Sequence, residues 1–128
     1  MTRKNISSGS KYEPIVGFSR AVRIGNTIAV SGTAPIGPDG KVAGSGAASQ
    51  ARACLDKIVA AVEQAGGRRE DIVRTRIFMT RASDWEEIGR VHGEVFANVR
   101  PASTMAVVAA LVDPEWLVEI EADAIVGG

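Results

Sequence analysis

The segment Trp116–Val126, WLVEIEADAIV, constrains this chain more than any other. Val118, Ile120, Ala122, Ala124 and Val126 fall on one side of an extended backbone, and Leu117, Glu119, Glu121, Asp123 and Ile125 on the other. A strand that is apolar on one face and carries three carboxylates on the other covers a core and presents its acids elsewhere. The preceding Ser103–Leu111 also reads as a strand, and the pair is expected to be joined by a tight polar connection at Asp113-Pro114.

Upstream, Gly17–Ile24 and Thr27–Ser31 read as a hairpin about Gly25-Asn26, and Lys4–Ser7 as a short edge strand in an otherwise irregular, polar segment 1–15. Gly37-Pro38-Asp39-Gly40 is a reverse turn. Gly46–Ala65 reads as a helix whose apolar stripe is Ala51, Cys54, Leu55, Ile58, Val59 and Val62, stopped by Gly66-Gly67. In Asp71–Thr80, Val73, Thr75, Ile77 and Met79 alternate with Ile72, Arg74, Arg76 and Phe78, the mark of a third strand. A second helix follows, with a capping box at Ser83 and Glu86, a stripe of Trp85, Ile88, Val91, Val95 and Phe96, and an end by Pro101.

The expected order is β-β-α-β-α-β-β in a single α+β domain, 1–128, with both helices on one face of a mixed sheet. In so small a domain the other face is expected to be covered by another subunit.

Fifteen basic and fifteen acidic residues cancel, so no overall field gathers nucleic acid. No apolar run is long enough to span a bilayer, and the charged N-terminus is not followed by the apolar core of a secretory signal. Cys54 is the only cysteine, which excludes an intrachain disulfide. These features point to a soluble, cytoplasmic protein with neither nucleic-acid nor membrane partners. One His and one Cys far apart offer no metal-ligand spacing.

Glu119, Glu121 and Asp123 admit two readings: one acts as an acid or base in a cleft, or they pair across strands with Arg74 and Arg76. His92 lies at the edge of the second helix's stripe, a position for a satisfied core residue or for a neutral-pH proton carrier. Gly44-Ser45-Gly46 is a weak anion cradle, and Ser31-Gly32-Thr33 lets a ligand approach the backbone beside two hydroxyls.

Three stretches, GNTIAVSG (25–32), PASTM (101–105) and VEIEA (118–122), stand in order with Gln50-Ala51-Arg52, Leu55 and Asp71-Ile72-Val73 between them. With these motifs the chain from about Phe18 to Val126 resembles the Rid (YjgF, L-PSP) family of reactive-intermediate deaminases. The resemblance implies a chorismate-mutase-like fold and a homotrimer with clefts between subunits. It also implies hydrolysis of small imines or enamines to carbonyl compounds and ammonia, without metal or cofactor.

The family's water-handling glutamate falls on Glu119, its strand-end serine and glycine on Ser31 and Gly32, its N-terminal tyrosine on Phe18 and a helix asparagine on Gly89. Its carboxylate-binding arginine falls on Ser103, which lacks a charged, bidentate grip. Arg100 lies three residues away, roughly 10 Å along a strand. The resemblance therefore implies a branch with the cleft retained and the ligand changed. Ser103, Thr104 and His92, with Met105 in the same motif, would form a more neutral, hydroxyl-rich pocket around Glu119. The rival readings are a non-catalytic metabolite-binding trimer and, less favoured by the neutral charge, a ribonuclease or translation inhibitor.

Overall fold

A computed structural model describes residues 2–127. The hairpin forms as its turn chemistry dictates. β2 (Ala21–Ile24) and β3 (Thr27–Thr33) pair antiparallel with Ile24 opposite Thr27, so Gly25-Asn26 is a two-residue turn with Gly25 at φ 59°. β1 (Arg3–Ile6) pairs with β2 at the sheet edge. The expected strand start at Gly17 is instead the end of a π-helical turn, Glu13–Gly17. The buried Glu13 carboxylate holds this segment out of the sheet by accepting the Ser8 N–H (2.9 Å) and hydroxyl (2.6 Å).

Helix α1 (Ala47–Gln64) buries the predicted stripe and ends where Gly66 turns left-handed at φ +92°. There the N–H groups of Gly66 and Gly67 donate to the carbonyls of Glu63 and Val62. β4 (Ile72–Met79) departs from simple alternation at its start. A bulge against β6 between Ile72 and Arg74 turns Ile72 into the core and leaves Val73 exposed.

Helix α2 (Trp85–Phe96) does not form the capping box. A 3₁₀ turn takes Ala82–Asp84, and the buried Asp84 carboxylate is held by the Arg81 guanidinium at 3.0 and 3.1 Å. Trp85, at the first helical position, is 55% exposed and lies outside the stripe, while Ile88, Val91, Val95 and Phe96 are buried.

The largest correction concerns the last two strands. β5 (Ala102–Val107) and β6 (Val118–Ile125) are not neighbours: the sheet order is β1-β2-β3-β6-β4-β5. β4, α2 and β5 form a βαβ unit in which the helix returns the chain to its starting end, so β5 runs parallel to β4 at the edge. The segment after Val107 carries the chain back, and β6 enters the slot between β3 and β4, antiparallel to both. Only that slot gives the fully apolar row Val118, Ile120, Ala122 and Ala124 two partner strands and a helix layer; all four are buried.

The sheet thus has two unlike faces. The helix side is closed by Leu55, Ile58, Ile88 and Phe96 packed on Ile28, Ile77, Met79 and Ile120. The other side carries Ser31, Arg74, Arg76, Phe78 and the three acids of β6, all of them partly exposed. The mixed sheet with two helices is the α+β architecture expected. No helix among the described residues is long and apolar enough to cross a membrane.

Candidate functional site

Register sorts the acids of β6. Arg76 lies opposite Glu121, and its Nη1 reaches Asp123 Oδ2 at 3.1 Å and Glu121 Oε1 at 3.7 Å. Glu119 lies opposite Phe78 and has no ion pair among the described residues. Cross-strand pairing therefore accounts for Glu121 and Asp123 but not for Glu119.

Glu119 is half-buried, and its carboxyl is held above the usual carboxylate range, chiefly by loss of water. The Arg20 cation works against that rise and the Glu121 charge adds to it. A carboxylate in this condition is more basic than a solvated one and keeps an uncommitted oxygen, as a general base requires. Gly32 makes room for it: a Cβ there would overlap the carboxylate, 3.4 Å from Cδ and 3.8 Å from Cγ. The register shift in β3 between Val30 and Thr33 brings Gly32 to this place, and Arg20 Nη2 fixes it by donating to the Gly32 carbonyl at 2.6 Å.

Ser31 lies beside Gly32, but its hydroxyl proton goes to the Ser19 carbonyl at 2.6 Å, leaving only lone pairs for a ligand. Phe18 follows the π-helical turn and is 37% exposed. Phe18, Ser19, Val22, Ser31, Glu121 and Asp123 line part of a cavity of about 770 Å³ on the side of the sheet away from the helices. Glu119 is not among its lining residues.

A second group sits elsewhere. Ser103 pairs with Thr75 in the β4–β5 ladder, and Thr75 belongs to the buried row of β4, so Ser103 and Met105 lie on the helix side. The Thr75 and Ser103 hydroxyl oxygens are 2.8 Å apart, and His92 Nε2 lies 2.9 Å from the same Thr75 oxygen. Burial holds the His92 ring below its usual pKa, and the ring tilts against Phe96 at 4.7 Å. Gly89 packs against Met105, whose Cε would be 3.4 Å from an added Cβ.

Thr104, opposite Arg76, lies on the other face with Glu119. One chain therefore does not unite Ser103, His92, Thr104 and Glu119 in a pocket. Ser103 and Glu119 are separated by two strand spacings and three residues of register, about 10 Å in each direction, and by the sheet itself.

Thr75 was not singled out from the sequence. The available signal was a hydroxyl in an otherwise apolar row (Val73, Thr75, Ile77, Met79), since a buried hydroxyl requires a partner. The suggested anion cradle is occupied by the protein itself. Ser49 Oγ donates to the Ala43 carbonyl at 2.7 Å and Gln50 Nε2 to the Gly44 carbonyl at 3.1 Å, closing the loop. Cys54 is fully buried with its thiol pushed up to about 12, so it supplies no thiolate near neutrality. No group of three or more His, Cys, Asp or Glu among the described residues could hold a metal ion.

Known proteins are similar to this chain in sequence and fold over nearly its whole length. Residues 8–126 match the family model described as Endoribonuclease L-PSP. An uncharacterized protein of Streptomyces coelicolor is 32% identical over 121 residues, covering 94% of this chain and 90% of that protein. A RutC family protein of Pyrococcus abyssi is 29% identical over 123 residues, covering 95% and 96%. Among solved structures, Rv2704 from Mycobacterium tuberculosis, a member of the YjgF/YER057c/UK114 family, superposes with a TM-score of 0.89 at 47% identity, covering 98% of this chain and all of that one. The Escherichia coli YjgF gene product gives 0.85 at 32% identity, covering 95% and 98%. By sequence model and by fold alike, the chain belongs to the Rid (YjgF/L-PSP) family.

Proposed function

We propose that this protein hydrolyses a small imine, enamine or related compound, with Glu119 as the base that directs the attacking water. The observation that carries this reading is Glu119 itself: alone among the β6 acids it has no arginine ion pair among the described residues, is half-buried, and has its carboxylate seated against a glycine where any side chain would collide with it. An imine is already electrophilic, so water positioned by a basic carboxylate is sufficient chemistry, with no metal or cofactor.

In this reading the cleft forms between copies of a homotrimer. One copy supplies Glu119, Gly32, Ser31 and Phe18 from one face of its sheet, and its neighbour supplies Ser103, Met105, Gly89 and His92 from the helix-side edge. The separation of the two groups within a single chain favours such sharing. Thr104, on the acid face, is then a wall residue at most. Ser103 offers a neutral hydroxyl where a guanidinium would grip a carboxylate, so a substrate carboxylate is held less firmly here than an arginine would hold it.

The test uses 2-aminoacrylate and 2-iminobutanoate generated by a dehydratase, with semicarbazide trapping as the competing reaction. Wild type is expected to compete weakly and Ser103→Arg more strongly, while Glu119→Gln abolishes turnover with the trimer intact. Because Glu119 must be ionised and its carboxyl is raised, activity should fall on acidification at higher pH than an ordinary glutamate gives. Unchanged turnover in Glu119→Gln refutes the assignment. A non-catalytic metabolite-binding role draws on Ser103, and saturable binding without product would favour it. The nuclease activity in the family model's description finds no support in the zero net charge.

A further inference from the structure

Thr75 is completely buried, and its hydroxyl touches both His92 Nε2 and Ser103 Oγ. A hydroxyl has one proton, so Thr75 can donate to only one of these two neighbours and must accept from the other. Its burial leaves no solvent to relieve that choice.

We propose that His92, Thr75 and Ser103 form a hydrogen-bond relay that sets the polarity of the Ser103 hydroxyl, making this edge a titratable receptor for a carboxylate. When His92 is protonated, Nε2–H donates to Thr75, Thr75 donates to Ser103, and the Ser103 proton is free to point outward at an anion. When the ring is neutral and keeps its proton on Nδ1, Nε2 is bare: Thr75 donates to it and accepts from Ser103, which then presents lone pairs outward and repels a carboxylate. No covalent bond changes; the only proton gained or lost is on the imidazole.

Ser103 is the exposed end of the relay on an edge strand, where a ligand can reach it. The inference rests on Ser103 lining the proposed cleft. It assigns Thr75 and His92 as positioning residues there, with a conditional charge in place of a permanent guanidinium.

The surroundings leave the imidazole as the group in control. β5 has no ionisable residue, and Arg74 and Arg76 of β4 lie on the opposite face from Thr75. The α1–α2 ion pair, Arg52 with Glu94, and the α2 residues Glu87 and Arg90 are exposed or solvent-edge groups. Burial alone accounts for the lowered His92 titration. Protonation therefore costs more here than in water, and an anion at Ser103 would lessen that cost.

His92 is the only histidine, so its ring nitrogens can be followed without ambiguity by ¹⁵N NMR. The measurement uses the full-length Glu119→Gln protein, which removes both turnover and the Glu119 titration, with pyruvate as the carboxylate probe. Pyruvate should bind at least about fivefold more tightly at about pH 5.5 than at about pH 8, and by linkage should raise the His92 titration midpoint. Thr75→Val should remove both effects and Thr75→Ser restore them. Ser103→Ala, at the exposed end, should also remove them and serves if the buried substitution does not fold. Affinity independent of pH, a dependence surviving Thr75→Val, or a His92 titration unmoved by pyruvate overturns the relay. None of these readouts uses catalysis, so failure of the relay and failure of Glu119 as the base remain distinct.

Discussion

Gly32→Ala isolates the contact on which the proposed base depends. Gly32 does not occupy the left-handed region, so alanine brings no backbone strain, and the three atoms nearest the added methyl all belong to the Glu119 side chain. The carboxylate lies at the end of a flexible chain and should swing aside rather than force the sheet apart. Holding a side chain off its rotamer costs about 0.5–1.5 kcal/mol, while replacing glycine stabilises by about 0.4–1 kcal/mol through the unfolded chain. The net change should lie within about 1 kcal/mol, a midpoint shift of about 3–5 °C at most for a domain of this size.

Turnover should respond far more, because a displacement of about 1 Å in a catalytic group costs about 100-fold. A double-mutant cycle with Glu119→Ala separates the contributions. Without the carboxylate, Gly32→Ala should stabilise by the full unfolded-chain term, so thermal melts of the four proteins should give a coupling of about 0.5–1.5 kcal/mol. If Gly32→Ala changes stability equally with and without Glu119, the packing argument is wrong.

Two further substitutions probe the surroundings. Arg76→Met should lower stability by no more than about 1 kcal/mol, because its ion pairs are partly exposed. By leaving the Glu121 charge unopposed, it should raise the Glu119 titration further and move the acid limb of the pH–rate profile upward; a fixed limb would show that Glu121 does not act on Glu119. Trp85→Ala should cost about 1–2 kcal/mol, since more than half of the residue is in water, whereas a buried tryptophan would cost about 3–5 kcal/mol.

Most secondary elements were legible because local chemistry specifies them. The stripe of α1, the Gly25-Asn26 hairpin turn, the left-handed Gly66 and the alternation of β6 each depend on residues near in sequence. Departures arose where a side-chain contact or a strand partner outside the expected pattern overrode it. Asp84 engaged Arg81 and displaced the expected Ser83 cap; Glu13 captured Ser8 and kept Gly17 out of the sheet; the bulge against β6 exchanged Ile72 and Val73.

The candidate site divides in the same way. Residue type and motif alone determined that Glu119, Ser31, Gly32 and Ser103 were the positions to consider, and that Ser103 lacks the charge an arginine would bring. Tertiary structure decided which acid is unencumbered, because register set Glu121 and Asp123 beside Arg76 and Glu119 beside Phe78. It also decided that Ser103 meets the Thr75 hydroxyl, which in turn meets His92, and that Glu119 and Ser103 lie on opposite faces of one sheet. Side-chain alternation is written in the sequence, but strand order and register are not. They follow from which slot buries the most apolar surface, a property of the whole chain.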